Sequence, residues 1–376
     1  MKPLQNIYLS LGSNLGNRFE HLQNAVNAIF EEIGQILKIS SVYETPAMGF
    51  EGSDFLNCVL GIQSSLTPSE ILKEILRIEK GLGRNRKKTK EFTSRPIDID
   101  ILFIDDLIKD SKNLTLPHPE IPNRRFVIQP MAEVNAQFQH PVSNKNMGEL
   151  LLETKDDGRM HKLSKWLRNP GNDYNISKYN YIAIEGNIGA GKTSLATQIA
   201  SEFNAKLILE RFKDNPFLPK FYKNQSRYAF PLEMSFLADR YQQLLEDIAQ
   251  FDLFKDCVIA DYDVYKSLIF ARITLAEEEF NLYKKLFHLI HKELVNPDIY
   301  VYLYQDTDQL LENIKKRGRS FEKGIEKEYL QKINDGYLEF VKSQPQGRVK
   351  VIDVSGMNFV KKRKDYLSVL KEILAD

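Results

Sequence analysis

Cysteine is scarce in this 376-residue chain, which has only Cys58 and Cys257. Two thiols cannot build a disulfide framework, so a reducing compartment is expected. Surplus charge of either sign is also missing, with 52 basic against 51 acidic side chains and a net charge of +1. A sequence-independent grip on DNA or RNA needs excess cations to neutralise phosphates, so no nucleic-acid partner is expected. No run approaches the about 18 apolar residues of a membrane span. Met1–Gly12 lacks the basic patch and long apolar stretch of a secretory signal. The expectation is a cytoplasmic protein without a membrane partner. Repeats and low-complexity tracts are absent. What is present is the balance of a globular protein, 42% apolar and 27% charged. At roughly 150 residues per domain the length suggests two or three domains.

The segment RNPGNDYNISK, residues 168–178, clusters Pro, Gly, Asn, Asp and Ser without apolar periodicity and reads as a linker between domains at 1–167 and 179–376. Ahead of it, strand-like runs fall at Ile7–Leu11, Ile36–Tyr43, Phe55–Gln63 and Ile99–Ile104, with helical patterns near Arg18–Ile33 and Pro68–Lys80. That order predicts an α+β sandwich of the ferredoxin-like kind. Beyond the linker, short apolar runs at Tyr181–Ile184, Lys206–Leu209, Cys257–Ala260, Ile299–Tyr304 and Val349–Val354 alternate with helical patterns. This predicts an α/β domain with a five-stranded parallel sheet.

Gly186-Asn187-Ile188-Gly189-Ala190-Gly191-Lys192-Thr193 matches G-x-x-x-x-G-K-[ST], after a predicted strand and before a helix beginning at Ser194. Glycines let the backbone wrap a triphosphate, and the helix N-terminus adds a favourable field. Lys192 is expected on the outer phosphates and the Thr193 hydroxyl on Mg²⁺. Glu210 and Asp261 end the second and third strands, at the carboxyl edge where such sheets bind ligands. Arg317-Gly318-Arg319 opens a basic segment suited to a lid over the transferred phosphate.

Residues 179 to about 340 resemble a P-loop deoxynucleoside kinase, through YIAIEGNIGAGKTSL, Glu210 before NPFL, FPLEMSFLADRYQQL and RGRSFEKGIEKEYL. The resemblance implies that Glu210 is the base for the sugar 5′-hydroxyl. Tyr222 and Glu322 would hold the 3′-hydroxyl, and Arg317 and Arg319 would be lid arginines on ATP. Arg240 joins the nucleoside-binding residues, and Asp261 matches the acidic residue of an acidic-Arg-Ser motif and is expected on Mg²⁺. A homodimer through this domain is also implied. Two positions depart from the pattern. Tyr262 replaces an Arg, with Lys266 four residues on to supply charge from the same helical face. Glu233 replaces a base-reading Gln and, if ionised, only accepts hydrogen bonds. That disfavours thymidine, and the look of NPFL and the lid favours deoxyadenosine, ahead of deoxyguanosine and deoxycytidine. The alternative is a nucleotide-sensing module regulating the first half, supported by Tyr262 alone.

In the first half, Asp98 and Asp100 alternate along a strand, so both carboxylates share one face. Such a pair suits Mg²⁺, which takes one or two acidic ligands plus water and phosphate oxygens. Arg84, the basic run through Lys90, and Arg95 lie just upstream. Arginines give a polyphosphate charge-assisted, bidentate contacts. His118, Arg124 and Phe126 follow. With GSNLGNR, SSVYETPAMG, DFLNCV, RIEKGLGR, RPIDIDIL and LPHPEIPNRRFVIQPMAEV, residues 4–166 resemble 6-hydroxymethyl-7,8-dihydropterin pyrophosphokinase. The resemblance implies Mg²⁺ on Asp98 and Asp100, bridging ATP and the pterin hydroxymethyl group. Arg84, Arg95, His118 and Arg124 would face the phosphates. Thr45, Pro46, Phe55, Asn57, Glu79 and Phe126 would form the pterin pocket, with Phe55 and Phe126 sandwiching the ring. Elsewhere, His288 and His291 lack a third ligand at zinc spacing, and Lys361–Lys364 read as a solvated face.

Overall fold

A computed structural model describes residues 3–84, 93–211, 215–249, 255–292, 294–344 and 348–375. The chain forms two compact units, Met1–Tyr174 and Asn175–Asp376. The first half of the segment read as a linker belongs to the first unit. The Asn169 side chain donates to the Ile36 carbonyl at 2.9 Å, Arg168 N donates to Gln23 Oε1 at 2.8 Å, and the Tyr174 ring lies 5.6 Å from that of Phe30. Asn, Gly and Asp here serve as side-chain-capped turns, which composition alone does not distinguish from a free connector. The run Asn85–Lys90 and Phe92 lie outside the described residues.

The first unit runs β1 Gln5–Ser13, α1 Arg18–Glu32, β2 Gln35–Ile39, β3 Tyr43–Thr45, β4 Phe55–Ser64, α2 Pro68–Gly81, β5 Asp98–Ile104, β6 Lys109–Ser111, β7 Leu114–Leu116, α3 Arg125–Asn135, α4 Met147–Glu153 and β8 His161–Lys162. Thr67 and Glu70 close a capping box on α2, with Pro68 in its first turn, and Ile71, Ile75 and Ile78 turn inward at helical spacing. The main sheet has the order β5-β1-β4-β3-β8, with β2 also paired to β4, and its pairings are antiparallel. The single run expected at Ile36–Tyr43 is two strands. Between them Ser40 N donates to Val59 O, Val59 N donates to Ser40 Oγ, and Ser41 N donates to Glu133 Oε2. These serine-centred bonds interrupt the ladder, a local competition that apolar periodicity does not register. Tyr8, Val59, Leu102 and Phe103 form a core with Val127, Ile128 and Met131 of α3 and Met147 and Leu150 of α4.

The second unit runs β9 Tyr181–Gly186, α5 Lys192–Glu202, β10 Lys206–Ile208, α6 Leu218–Phe221, α7 Gln225–Ala249, β11 Val258–Ala260, α8 Tyr265–Thr274, α9 Glu277–His291, β12 Ile299–Tyr304, α10 Thr307–Arg317, α11 Lys327–Ser343, β13 Val349–Asp353 and α12 Arg363–Leu374. Its sheet is parallel and five-stranded, in the order β10-β11-β9-β12-β13. Residues of β9 and β11 are buried throughout, matching the apolar runs Tyr181–Ile184 and Val258–Ala260, with Glu185 a buried charged residue at the end of β9. Because β9 lies between β11 and β12, the loops after β9, β10 and β11 open on one carboxyl edge. No described helix is long and apolar enough to cross a membrane.

Candidate active sites

In the first unit, register gathers the chemistry on one face. Ser10 pairs with Asp100, Gly12 with both Asp98 and Asn57, and Thr45 with Phe55. Directly paired residues project to the same side, so strands distant in sequence deliver these groups together. They line a cleft of about 570 Å³ with Pro46, Arg84, Arg95, His118, Arg124 and Phe126, within the usual range of roughly 300–1,000 Å³ for small-molecule sites. Met48, Phe50, Glu120 and Asn123 also line it and were not singled out from sequence. Phe50 meets Phe55 edge-on at 6.2 Å, an apolar wall that an irregular loop supplies without periodic signal.

Arg84 pairs with Asp98 and Glu79, and Arg95 Nη1 donates to Asp98 Oδ2 at 2.6 Å. Arg95 also lies 5.6 Å over the Phe55 ring, and Arg124 lies 5.8 Å over Phe126. Asn57 Nδ2 donates to Thr45 Oγ1 at 2.8 Å. Glu79 does not line the cleft. It is buried behind it, accepting the Ile99 amide at 2.9 Å as well as Arg84, so it acts on the site through that arginine and through its charge on Asp100. Burial, then the charges of Asp98 and Glu79, push the Asp100 carboxyl up to about 7. Burial, then Arg124, pull His118 below its ordinary value, so it is neutral near pH 7. The donor set of two carboxylates suits a hard cation such as Mg²⁺, completed by phosphate oxygens and water. Among the described residues no group of three or more His, Cys, Asp or Glu is placed to hold a metal alone.

In the second unit the phosphate loop is shaped by Gly186, Gly189 and Gly191, all at positive φ. A Cβ on Gly191 would stand 2.6 Å from the Phe359 ring, so only glycine fits there. Lys192 Nζ donates to the carbonyls of Gly186 at 2.9 Å and Asn187 at 3.0 Å. Burial, then repulsion from Lys266, lower the Lys192 ammonium to about 8. Asn187 turns its side chain away from the cleft, donating to Leu330 O and Asn334 Oδ1. Ala190 is buried, and Ser194 sits half-buried in the first turn of α5.

Asp261 ties two elements together, accepting Thr193 Oγ1 on one oxygen and the Glu210 amide, at 2.8 Å, on the other. Glu210 Oε1 accepts Arg240 Nε at 2.9 Å and Nη2 at 2.6 Å, while Oε2 accepts Lys266 Nζ at 2.6 Å. Burial pushes the Glu210 carboxyl up, but Lys266 and Arg240 outweigh it and hold it well below the usual carboxylate range. Arg317 grips Glu322 through both oxygens at 2.7 Å, and Arg319 reaches the same carboxylate at 3.1 Å. Tyr222 stacks on Phe321 at 6.2 Å, and its phenol is raised by burial and by Glu322. Glu233 is buried; Thr274 donates to its Oε1 at 3.2 Å, and Oε2 has no hydrogen-bond partner among the described residues. Burial pushes its carboxyl up to about 7 against the attraction of Arg240. The same cleft is lined by Lys192, Thr193, Glu210, Tyr222, Glu233, Arg240, Asp261, Arg317, Arg319 and Glu322, together with Phe236, Phe270 and Tyr329, which sequence reasoning missed. One expectation is corrected. Tyr262 and Lys266 do not share a helix face, because Tyr262 precedes α8 and is buried in the core, while Lys266 lies in the first turn and lines the cleft.

Two clefts rich in arginine, lysine and carboxylate, one on an antiparallel sheet and one at a phosphate loop, define a chain with two phosphotransferase units. Comparison with known families identifies both. Residues 8–136 match 7,8-dihydro-6-hydroxymethylpterin-pyrophosphokinase and residues 182–375 match deoxynucleoside kinase. The chain is 40% identical over 151 residues to the 2-amino-4-hydroxy-6-hydroxymethyldihydropteridine pyrophosphokinase of Aquifex aeolicus, covering 40% of this chain and 92% of that one. It is 42% identical over 191 residues to the deoxyguanosine kinase of Bacillus subtilis, covering 50% and 92%. It is 33% identical over 197 residues to the deoxyadenosine kinase of Dictyostelium discoideum, covering 51% and 78%. The chain belongs to the pterin pyrophosphokinase family through its first unit and to the deoxynucleoside kinase family through its second. It is a bifunctional kinase, and a purely nucleotide-sensing second unit is not favoured.

Proposed function

We propose that the first unit transfers pyrophosphate from ATP to the hydroxymethyl oxygen of 6-hydroxymethyl-7,8-dihydropterin, and that the second phosphorylates a purine deoxynucleoside at its 5′-hydroxyl. The β5-β1-β4-β2 order, with helices after β1 and β4, supports the finer reading of the first unit as a ferredoxin-like sandwich. A cytoplasmic location and pairing of two kinase units belong to the same reading, through the family resemblance.

For the first reaction the supporting observation is the carboxylate pair sharing a cleft with Phe55 and Phe126. The two rings give a flat heterocycle apolar faces, and Asn57 and Thr45 offer polar contacts at its edge. Arg84, Arg95 and Arg124 neutralise the phosphates. Asp98 and Asp100 would hold Mg²⁺, which when bound screens polyphosphate charge and polarises the phosphoryl oxygens. Metal binding requires Asp100 without its proton, and its carboxyl is raised to about 7. Mg²⁺ affinity at this site should therefore fall by up to about tenfold per pH unit below 7. Calorimetry in buffers of different ionisation enthalpy should show proton release near pH 6 to about 7; pH-independent binding would contradict the assignment of Asp100.

For the second reaction the supporting observation is Glu210 beside the phosphate loop, tied by Asp261 to Thr193. Thr193 and Asp261 would hold Mg²⁺ there. Glu210 accepts the 5′-hydroxyl proton, Lys192, Arg317 and Arg319 hold phosphates, and Tyr222 and Glu322 hold the sugar.

Glu233 decides the base. Ionised, it only accepts, which matches the adjacent N1–H and N2–H donors of guanine. Protonated, it donates and accepts side by side, which matches N1 and N6 of adenine. Because burial raises it to about 7, the ratio of kcat/KM for deoxyguanosine over deoxyadenosine should rise with pH. An increase of up to about 100-fold between roughly pH 6 and pH 8 is expected, because the ratio follows the ionised over the protonated fraction. The deoxyguanosine kinase name of the Bacillus subtilis relative favours guanine above neutrality, where sequence alone favoured deoxyadenosine. Steady-state kinetics with the four deoxynucleosides at both pH values test this; thymidine as best substrate, or a ratio unmoved by pH, removes Glu233 from base reading.

A further inference from the structure

Lys266 has a different standing in the kinase cleft from the other cation on Glu210. Arg240 occupies Oε1 through two nitrogens, donates again to Ser267 Oγ at 2.6 Å, and lies 4.6 Å over the Phe236 ring. It is fixed on three sides, and by itself it supplies Glu210 with a counter-ion. Lys266 is attached to the remaining oxygen by one bond of 2.6 Å, at the end of a flexible four-carbon stem beside Phe270. Arg240 places both of its bonds to Glu210 on Oε1, which leaves Oε2 to Lys266. Lys266 takes up one lone-pair site on the oxygen that a hydroxyl proton would need.

Its position suggests another task. Glu210, Lys192 and Lys266 line one cleft, at the carboxyl edge of the sheet. The group that passes from ATP to the sugar must travel from the loop that Lys192 closes to the oxygen that Glu210 deprotonates. Lys266 lines the same cleft, bonded to Glu210 and near enough to Lys192 for its charge to lower that ammonium. Tyr262, where the family resemblance has an arginine, is fully buried among Ala183, Val258 and Ala260 and brings no charge to the cleft.

We propose that Lys266 is a catalytic residue which shifts from Glu210 Oε2 to the oxygens of the phosphoryl group in transfer, neutralising its charge and opening Oε2 for the hydroxyl proton. This rests on reading the second unit as a deoxynucleoside kinase. In the step, the 5′-oxygen forms a bond to the γ-phosphorus. The bond from that phosphorus to the β,γ-bridging oxygen breaks, and its electron pair leaves on ADP. The 5′-hydroxyl proton goes to Glu210, and Lys266 keeps its own protons throughout.

The test uses the full chain with Lys266→Met and Lys266→Arg. A phosphate-directed cation is worth about 10³-fold or more in kcat in related chemistry. Lys266→Met should lower kcat by at least about 10²-fold while KM for the nucleoside changes less than about threefold. Lys266→Arg should recover at least about tenfold of that loss, because charge and reach survive. A binding arm avoids turnover. The complex of ADP, aluminium fluoride and deoxyguanosine should weaken by about 10²-fold or more in Lys266→Met, with binding of ADP alone unchanged. Arg240 continues to hold Glu210, so thermal unfolding should move little; if the methionine variant does not fold, Lys266→Gln takes its place in both the kinetic and the fluoride-complex arms, with the same losses expected. Wild-type protein inactive on all four deoxynucleosides would refute the kinase reading itself. Active wild type with kcat retained in Lys266→Met, or a loss confined to KM, would overturn the role of Lys266 alone.

Discussion

Asp100→Asn and Asp98→Ala should each cut pyrophosphoryl transfer to the pterin by at least about 10³-fold, roughly 4 kcal/mol of barrier. Deoxynucleoside phosphorylation by the same preparations should stay within about twofold of wild type, since substitutions without shared partners act independently. The two carboxylates are not equivalent. Asp98 holds Arg84 and Arg95, so its loss also frees two phosphate-directed cations, and KM for ATP should rise. Asp100 shares its strand face but owes its raised carboxyl to burial and to the neighbouring negative charges, so the asparagine variant removes charge with little change of shape. Its defect should fall on kcat. Assaying both activities on one sample gives each variant an internal control for folding. Near-normal pterin turnover in both variants would end the metal-pair assignment.

Glu210→Gln and Lys192→Ala should each reduce deoxynucleoside phosphorylation by at least about 10²-fold, the size of a general-base or charge-stabilising contribution. Glutamine keeps the shape and most hydrogen bonds to Arg240, so KM for the nucleoside should be little changed. It cannot accept a proton from the sugar hydroxyl. Removing the carboxylate also leaves Arg240 and Lys266 as buried cations without their counter-charge, and a lower melting temperature is expected in the apo protein. Kinetics should therefore be read on samples checked by circular dichroism at the assay temperature. Lys192→Ala removes the loop's own cation and should raise KM for ATP as well. Normal turnover by Glu210→Gln would show that another group takes the proton.

Local pattern carried much of this. Alternation placed Asp98 and Asp100 on one face, and the loop from Gly186 to Thr193 is contiguous, so both were readable before any contact was known. The central parallel strands β9, β11 and β12 were visible because strands buried on both faces are nearly continuous apolar runs, while the edge strands β10 and β13, only partly buried, still read as short apolar runs. What stayed hidden depends on pairing between distant segments. Nothing near Glu79 announces that its carboxylate caps the Ile99 amide and leans on Arg84. Lys266 reads from the sequence as a nearby charge, but its reach to Glu210 is set by where α8 begins. The break at Ser40–Val42 arose from side-chain bonds to the backbone, which compete with the ladder without altering the apolar rhythm. Phe50, on an irregular loop, and Phe321, on the short 3-10 turn Ser320–Glu322, line the clefts without any periodic signal.

The contact between Gly191 and Phe359 has a consequence for how the chain is made. The wall that shapes the phosphate loop comes from a residue translated long after the loop itself, beyond β13, the strand that completes the sheet against β12. A nascent chain emerging from the ribosome can finish its first unit once Tyr174 is free. The nucleotide site must wait, with its glycine loop already synthesised and its aromatic backing still inside the exit tunnel. Pausing during synthesis of the second half would therefore leave the pterin unit mature and the kinase unit dependent on whatever protects its open sheet.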